Sequence, residues 1–289
     1  MLLETVNLIR KLTVIALFSD DDLMDTFVLK GGNALNIVYG INNRASKDID
    51  VSMAEDFDQG NLSLVQQKIS NALISTFEEH NIHVFDIVLK PQPLKMNIMD
   101  GDFWGGYKLQ FKLIEREKAN GNMSSLRKQA ISLDKQHTKT FTVDISKYEF
   151  CETKEERELD GYTIYVYTPL MMIFEKLRAI CQQMEDYAKY VESHYPRPRA
   201  RDFYDIHSIV TQCKVKVSSP TSKYLLSNIF KAKRVPLFFL EKVCEEREFH
   251  RDNFNTVLNT VTPDSFHSYD FYFDFVLDLI KLLEPVWKE

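Results

Sequence analysis

Cysteine is scarce in this chain, with four among 289 residues. No two of them form a C-x-x-C, and Cys151, Cys181, Cys213 and Cys244 lie about thirty residues apart. That spacing fits neither a zinc site nor a disulfide framework, so reduced, buried thiols are expected. Long apolar runs are also missing, and nothing approaches the ~20 residues of a membrane span. The N-terminal stretch MLLETVNLIRKLTVIALF is interrupted by Glu4, Arg10 and Lys11, while Val6, Ile9 and Ile15 recur at helical spacing. It reads as an amphipathic helix, not a signal peptide, and a cytoplasmic protein without membrane attachment is expected. Basic charge is not in excess: a net charge of −6 argues against a general nucleic-acid coating protein, while leaving room for a local basic groove. Of the seven histidines only His80 and His83 stand close together. They follow Glu78-Glu79 with no third ligand nearby, as an exposed surface pair would. No internal repeat is visible.

What is present describes an ordinary globular protein, 44% hydrophobic and 27% charged, long enough for one large domain or two ordinary ones. The N-terminal half alternates helix and strand. An amphipathic helix is expected over 62–80, with Val65, Ile69, Ala72, Leu73 and Phe77 on one side. Strands are expected at 82–89, 108–115 and 141–148 from their period-two alternation. The polar stretch 116–138 reads as a helix or a mobile excursion. From Thr168 and Pro169, good N-cap and N1 residues, the pattern turns helical: Leu170, Ile173, Phe174, Leu177, Ile180, Cys181, Met184 and Tyr187 form one apolar stripe. The linker HYPRPRAR (194–201) contains two prolines, and further helices are expected at 202–213, 223–231, 236–250 and 269–287. The expectation is an α/β (α+β) core with a mixed sheet over residues 1–160, then an α-helical domain over 161–289, the boundary falling within 150–167.

The most informative segment is FVLKGGNALNIVYGINNRASKDIDV, residues 27–51. An apolar run (Phe27 to Leu29) meets Gly31-Gly32, a short helical stretch follows, and then Asp48-Ile49-Asp50-Val51. On a strand Asp48 and Asp50 share one face while Ile49 and Val51 anchor the other. Paired carboxylates repel unless a cation lies between them, and Mg²⁺ is usually held by one or two carboxylates plus substrate phosphates. The paired glycines offer backbone N–H groups where phosphate oxygens settle. A D-x-D alone often marks only the wet face of an edge strand; the whole combination, including Arg44-x-Ser46, is far harder to reach by chance.

Other residues add to this. Asp144, in FTVDISKY, sits on a strand whose other face is apolar. Asp86, in VFDIV, competes with it for the role of third carboxylate. Lys176 borders the apolar stripe between Ile173 and Ile180, where a snorkelling lysine is the simpler account and an ammonium reaching toward a triphosphate the functional one. Arg197, Arg199 and Arg201 form a basic comb, either solvated charge or a phosphate grip. Lys231, Lys233 and Arg234 read as solvated charge.

The segment 27–51 resembles the opening motif of the nucleotidyltransferase superfamily. In LKGGNAL and RASKDIDV it is similar to the AbiEii/AbiGii branch of abortive-infection and toxin–antitoxin systems. EKLRAI followed by RARDFYDI matches that branch's second block, so that the resemblance touches 27–51, about 107–148 and 168–206, roughly half the chain. It implies Mg²⁺-dependent (or Mn²⁺-dependent) transfer of a nucleoside monophosphate from a nucleoside triphosphate to tRNA or another acceptor, a cognate antitoxin partner, and an active site in the cleft between the two domains. Carried over, Asp48, Asp50 and Asp144 become metal ligands, and Asp48, Asp50, Lys176 and Asp202 catalytic residues. Gly31, Gly32, Asn33, Arg44, Ser46, Lys176 and Arg199 become nucleotide contacts. Asp205, one helical turn from Asp202, either supports the site or pairs with Arg201. The alternative is a catalytically degenerate nucleotide- or protein-binding module of the same fold. Beyond residue 213 the sequence shows helical packing and no chemistry, and no motif encodes the base preference.

Overall fold

The computed structural model describes residues 2–41, 48–58, 60–94, 102–134, 136–191, 194–258 and 266–288. The chain divides into two units, one formed by Met1–Val38, Ser46–Met96 and Gly105–Val166, the other by Tyr39–Ala45, Asn97–Trp104 and Tyr167–Glu289.

The first unit is built on a mixed sheet. It contains α1 (Leu2–Phe18), α2 (Asp21–Thr26), β1 (Val28–Lys30), α3 (Gly31–Ile37), β2 (Ile49–Ser52), α4 (Leu62–Glu78), β3 (Ile82–Gln92), β4 (Gly106–Glu115), α5 (Met123–Gln129), β5 (Phe141–Ser146), β6 (Glu155–Leu159) and β7 (Tyr162–Val166). The seven strands lie in the order β3-β4-β5-β2-β1-β7-β6. β2 runs parallel to β5 and β1 parallel to β7, and the remaining neighbours are antiparallel. Burial explains the strands: Ile49, Val51, Val143 and Leu109 are fully buried, while Asp50, Asp144 and Lys108 alternate with them on the more open face. The expected amphipathic stripes are present, with Ile9, Leu12 and Ile15 buried on α1 and Ile69, Leu73 and Phe77 on α4. These two helices pack on each other, α4 against β3 and α1 against β7. Rings of Phe77, Phe111 and Phe141 follow one another through the core at centroid spacings of 6.1 and 5.3 Å.

One local feature departs from the sequence expectation, and a second resolves the alternative of helix or excursion. The hairpin β6–β7 was not anticipated, because β6 (EEREL) is mostly charged, as edge strands often are. Its signal was the Asp160-Gly161 pair, both at positive φ (50° and 84°), which is the two-residue hairpin turn that Asp-Gly favours. The polar stretch 116–138 resolves into a single 3₁₀ turn, Arg116–Lys118, and the two-turn α5, capped by the Asn122 side chain on the Ser125 N–H.

The second unit is helical: α6 (Pro169–Cys181), α7 (Ala200–Gln212), α8 (Ser222–Ala232), α9 (Phe239–Lys242), α10 (Arg247–Arg251), α11 (Asn255–Leu258) and α12 (Tyr269–Trp287). Thr168 caps α6 by accepting the Met171 N–H, with Pro169 at the first turn. α6 packs on α7 and α8, and α12 on both of these. The single helix expected over 236–250 is instead α9, a 3₁₀ turn and α10. Cys151 and Cys181 are buried, whereas Cys213 is half-buried and Cys244 exposed, which corrects the expectation of four buried thiols; all four are free. Lys233 also departs from its expected solvation. It is buried, and its ammonium donates to the Phe103 carbonyl at 3.2 Å. No helix among the described residues is long and apolar enough to cross a membrane.

Candidate functional site

In the sheet unit, register does what sequence spacing alone cannot. Asp50 is aligned with Asp144 on the neighbouring parallel strand and with Lys30 on the antiparallel strand at its other side. Lys108 is aligned with Asp144 in turn. Aligned residues on adjacent strands share a face, so one row across the sheet reads Lys30, Asp50, Asp144, Lys108. The two carboxylates are side by side in its middle. Lys108 sits 3.2 Å from Asp144 with both side chains substantially exposed, so this pair is easily exchanged for a ligand. Lys30 is buried and lies 3.5 Å from the equally buried Glu149.

Gly31 opens α3 at φ +71°, and a Cβ there would stand 2.5 Å from the Asp50 carboxylate oxygen. The glycine thus lets the backbone lie directly against the acid. Gly31→Ala is expected to cost about 1–3 kcal/mol in backbone strain and to displace the Asp50 carboxylate. A variant with unchanged denaturation midpoint and unchanged transfer rate would remove this role. Asn33 is buried and its side-chain amide donates to the Asp48 carbonyl at 2.6 Å, tying the helix to the residue before β2. Asp48 is exposed, just ahead of the strand. Arg44 and Ser46 lie outside the described residues.

Asp86 stands apart from this row. It is on β3, three places from β2 in the sheet, at a bulge with φ +52°. Arg127 grips it through two hydrogen bonds, 2.7 and 2.8 Å, and Lys112 adds a third at 3.0 Å. The Arg127 guanidinium, with Lys112, holds its pKa down to about 2 from 3.8. A depressed carboxylate pKa contributes stability above the ordinary value that is lost as pH falls toward the folded one. Asp86→Asn is therefore expected to lose about 1–2 kcal/mol at pH 7, a difference from wild type that shrinks between pH 4 and 2. It should keep full transfer activity; loss of activity in a folded variant would put Asp86, not Asp144, in the site.

Carboxylate oxygens are the donors hard divalent cations take, and two adjacent carboxylates with water or phosphate oxygens suit Mg²⁺. Asp50 and Asp144 fit that donor set. Among the described residues no group of three or more His, Cys, Asp or Glu is arranged to hold a metal by itself.

In the helical unit, Lys176 is buried, not bordering a solvent-facing flank. Its ammonium lies 3.0 Å from Asp202 and 2.7 Å from Asp205, all three side chains under a tenth exposed. The Arg199 guanidinium also binds Asp202. Burial pushes the Asp202 pKa up, but Arg199 and Lys176 outweigh it, and the carboxyl stays below its ordinary range. The loop entering α7 is clamped by residues that no sequence motif marks. Asn253 accepts the Ala200 N–H at 2.9 Å and donates to the Pro198 carbonyl at 2.6 Å. His250 Nδ1 accepts the Arg199 N–H at 3.1 Å, and burial lowers its pKa to about 4, so the imidazole is neutral at pH 7.

Lys30, Glu149 and Arg10 also escaped sequence reading. Lys30 carried a usable signal, a cation closing an apolar strand directly before the glycines. Arg10 had one too: it falls between Ile9 and Leu12 on the buried stripe of α1.

The seven-stranded mixed sheet, with aligned carboxylates beside a glycine turn, is a nucleotidyltransferase-like fold. The sequence matches the nucleotidyl transferase AbiEii toxin family of type IV toxin–antitoxin systems over residues 14–273. The chain belongs to that family and is a nucleotidyltransferase. Among curated proteins no relative matches. Among solved structures the chain is similar to JHP933 from Helicobacter pylori (14% identity, 99% of this chain and 93% of the other, TM-score 0.48). It is also similar to a candidate nucleotidyltransferase from H. pylori (16% identity, 99% and 97%, TM-score 0.49). A third is an antigenic nucleotidyltransferase-like protein from Paracoccidioides brasiliensis (14% identity, 78% and 92%, TM-score 0.37).

Proposed function

We propose that this chain transfers a nucleoside monophosphate from a nucleoside triphosphate to an RNA hydroxyl, releasing pyrophosphate, with tRNA the leading acceptor, and that it acts as a cytoplasmic toxin restrained by a cognate antitoxin. The alignment of Asp50 with Asp144 on adjacent strands is the observation that carries this reading. In it Asp50 and Asp144, with Asp48, hold a divalent cation, Mg²⁺ or Mn²⁺. The cation's contribution when bound is to stabilise charge on the attacking and leaving oxygens of an in-line displacement. The chain's own groups do the rest. The backbone at Gly31 and Gly32 approaches the phosphates, Ser46 and Arg44 contact the nucleotide, and one aspartate accepts the proton of the attacking hydroxyl. In the helical unit this reading assigns catalysis to Lys176 and Asp202, and nucleotide contact to Lys176 and Arg199.

The test is incubation with Mg²⁺, each labelled nucleoside triphosphate in turn, and total RNA. Label on RNA supports the proposal, and the nucleotide that gives it identifies the preferred base. Label on protein or on a small molecule would replace the acceptor while keeping the chemistry. No label with any nucleotide, together with unaffected growth on expression, would leave the catalytically degenerate binding module instead.

A further inference from the structure

We propose that a cavity beside Asp48 is a phosphate subsite, with Arg10 of α1 as its charged contact. The inference rests on the nucleotidyl-transfer reading and adds to it a residue from an element that neither the glycine turn nor the D-x-D strand supplies. The cavity has a volume of about 110 Å³ and is lined by Val6, Arg10, Asp48, Thr138, Thr140 and Thr142. Thr142 is two residues before Asp144 on β5 and alternates on the same face. Asp48 and Thr142 each precede a member of the paired-carboxylate row by two residues, so this wall of the cavity adjoins the row, while Phe141, from the other face of β5, closes another side.

Arg10 is unusually placed for a guanidinium. It is 7% exposed, and among the described residues its hydrogen bonding consists of one bond, from Nη1 to the Asn7 side chain at 3.0 Å. Its buried Nε has no partner. A guanidinium offers five N–H donors in a planar fork, so most of its capacity is unused. Burying a charge with so little compensation is costly, and buried groups left unsatisfied point to a partner that completes them. Asp48 attracts Arg10 electrostatically, which only partly offsets the effect of burial on the guanidinium.

Size and charge select the ligand. At roughly 30 Å³ per water in the liquid, the cavity holds a few waters. That is space enough for one tetrahedral phosphate group. The fork of Arg10 and the threonine hydroxyls are donors suited to phosphate oxygens. Two carboxylates also face the cavity. Asp134 is occupied by its own loop, accepting the backbone N–H groups of Gln136 and Thr138 at 3.0 Å each. Asp48 would repel an anion unless a divalent cation shares its charge. Phosphate binding at Arg10 should accordingly require the cation, which a simple surface arginine would not.

The phosphate has two possible sources, the nucleotide or the RNA acceptor, and calorimetric titration separates them. Inorganic pyrophosphate, each nucleoside triphosphate and tRNA are titrated into wild type, Arg10→Ala, Arg10→Gln, Arg10→Lys and the control Lys11→Ala, with Mg²⁺ and with chelator. Arg10→Ala is expected to weaken pyrophosphate and nucleotide binding at least tenfold in Mg²⁺, Arg10→Lys to recover part of it, and Lys11→Ala to match wild type. Chelator should bring wild-type affinity toward that of Arg10→Ala. A loss confined to tRNA would support the subsite and assign it to the acceptor. Arg10→Gln removes the charge while keeping a polar side chain with N–H donors, so it reads the loss of charge should the alanine variant unfold. Wild-type affinity for all three ligands in folded Arg10→Gln overturns the subsite while label transfer by wild type stands. If wild type binds none of them, both the subsite and the transfer reading fall.

Discussion

Asp50→Ala is expected to abolish label transfer, by a factor on the order of 10²–10³ or more given what single charged or polar groups at a reacting centre contribute, without lowering the stability of the protein free of metal and nucleotide. The second half of that expectation is the diagnostic one. Asp50 and Asp144 are aligned on adjacent strands, which lie about 4.8 Å apart. Two unit charges at that spacing repel by roughly 1–3 kcal/mol between bulk-like and near-surface dielectric. Lys30 and Lys108 at the ends of the row soften that repulsion without removing it. A structural aspartate would cost stability when removed, whereas one kept for a cation should cost none. Thermal unfolding with and without Mg²⁺ measures this. Wild type should be stabilised by the cation, and the variant should lose that gain while melting no lower in chelator. Wild-type transfer by Asp50→Ala would end the proposed site; a large loss of stability in chelator would make Asp50 structural.

The second large effect is at Lys176. Lys176→Met leaves Asp202 and Asp205 buried with one cationic partner fewer, and breaking a buried ion cluster by removing one member typically costs about 3–5 kcal/mol. The sign with pH follows from Asp202. Its depressed pKa means that wild type holds this stability above the ordinary carboxylate range and loses it as pH falls. In Lys176→Met the carboxylates lose an attractive charge and take up protons more readily. The deficit relative to wild type should then be largest near neutrality and shrink by pH 4–5 in denaturant titrations. Adding Asp205→Asn removes one of the two buried negative charges and should restore part of the stability. If transfer stays absent in that stabilised double variant, Lys176 has a chemical role. If transfer returns with stability, the lysine serves the fold of the helical unit alone. A deficit of under about 1 kcal/mol, the range of an exposed ion pair, would contradict the burial of the cluster.

The candidate site was legible where local pattern carries chemistry. Gly31, Asp48 and Asp50 follow from strand alternation and the turn that precedes it. Asn33 fell within the recognised motif, yet its amide is spent on the Asp48 carbonyl. The choice between Asp144 and Asp86 could not be made from spacing, because both sit in apolar-acid-apolar strands. Sheet order separates them, putting β5 against β2 and leaving Asp86 with Arg127 and Lys112. Lys233 was misread as solvated because a short basic run looks the same in sequence whether its middle residue points to water or to a buried carbonyl.

By itself the sequence determined most of the elements and their faces, the charged β6 and the broken helix at 236–250 aside, since hydrophobic period depends on neighbours within one or two turns. Their pairing came from tertiary structure. Asp50 meets Asp144 across 94 positions of chain, Lys176 reaches Asp202 and Asp205 from another helix, and Arg10 lines the Asp48 cavity from the N-terminal helix. Such contacts are set by sheet order, register and burial. These are collective outcomes of packing the whole core, and no local spacing of residues encodes them.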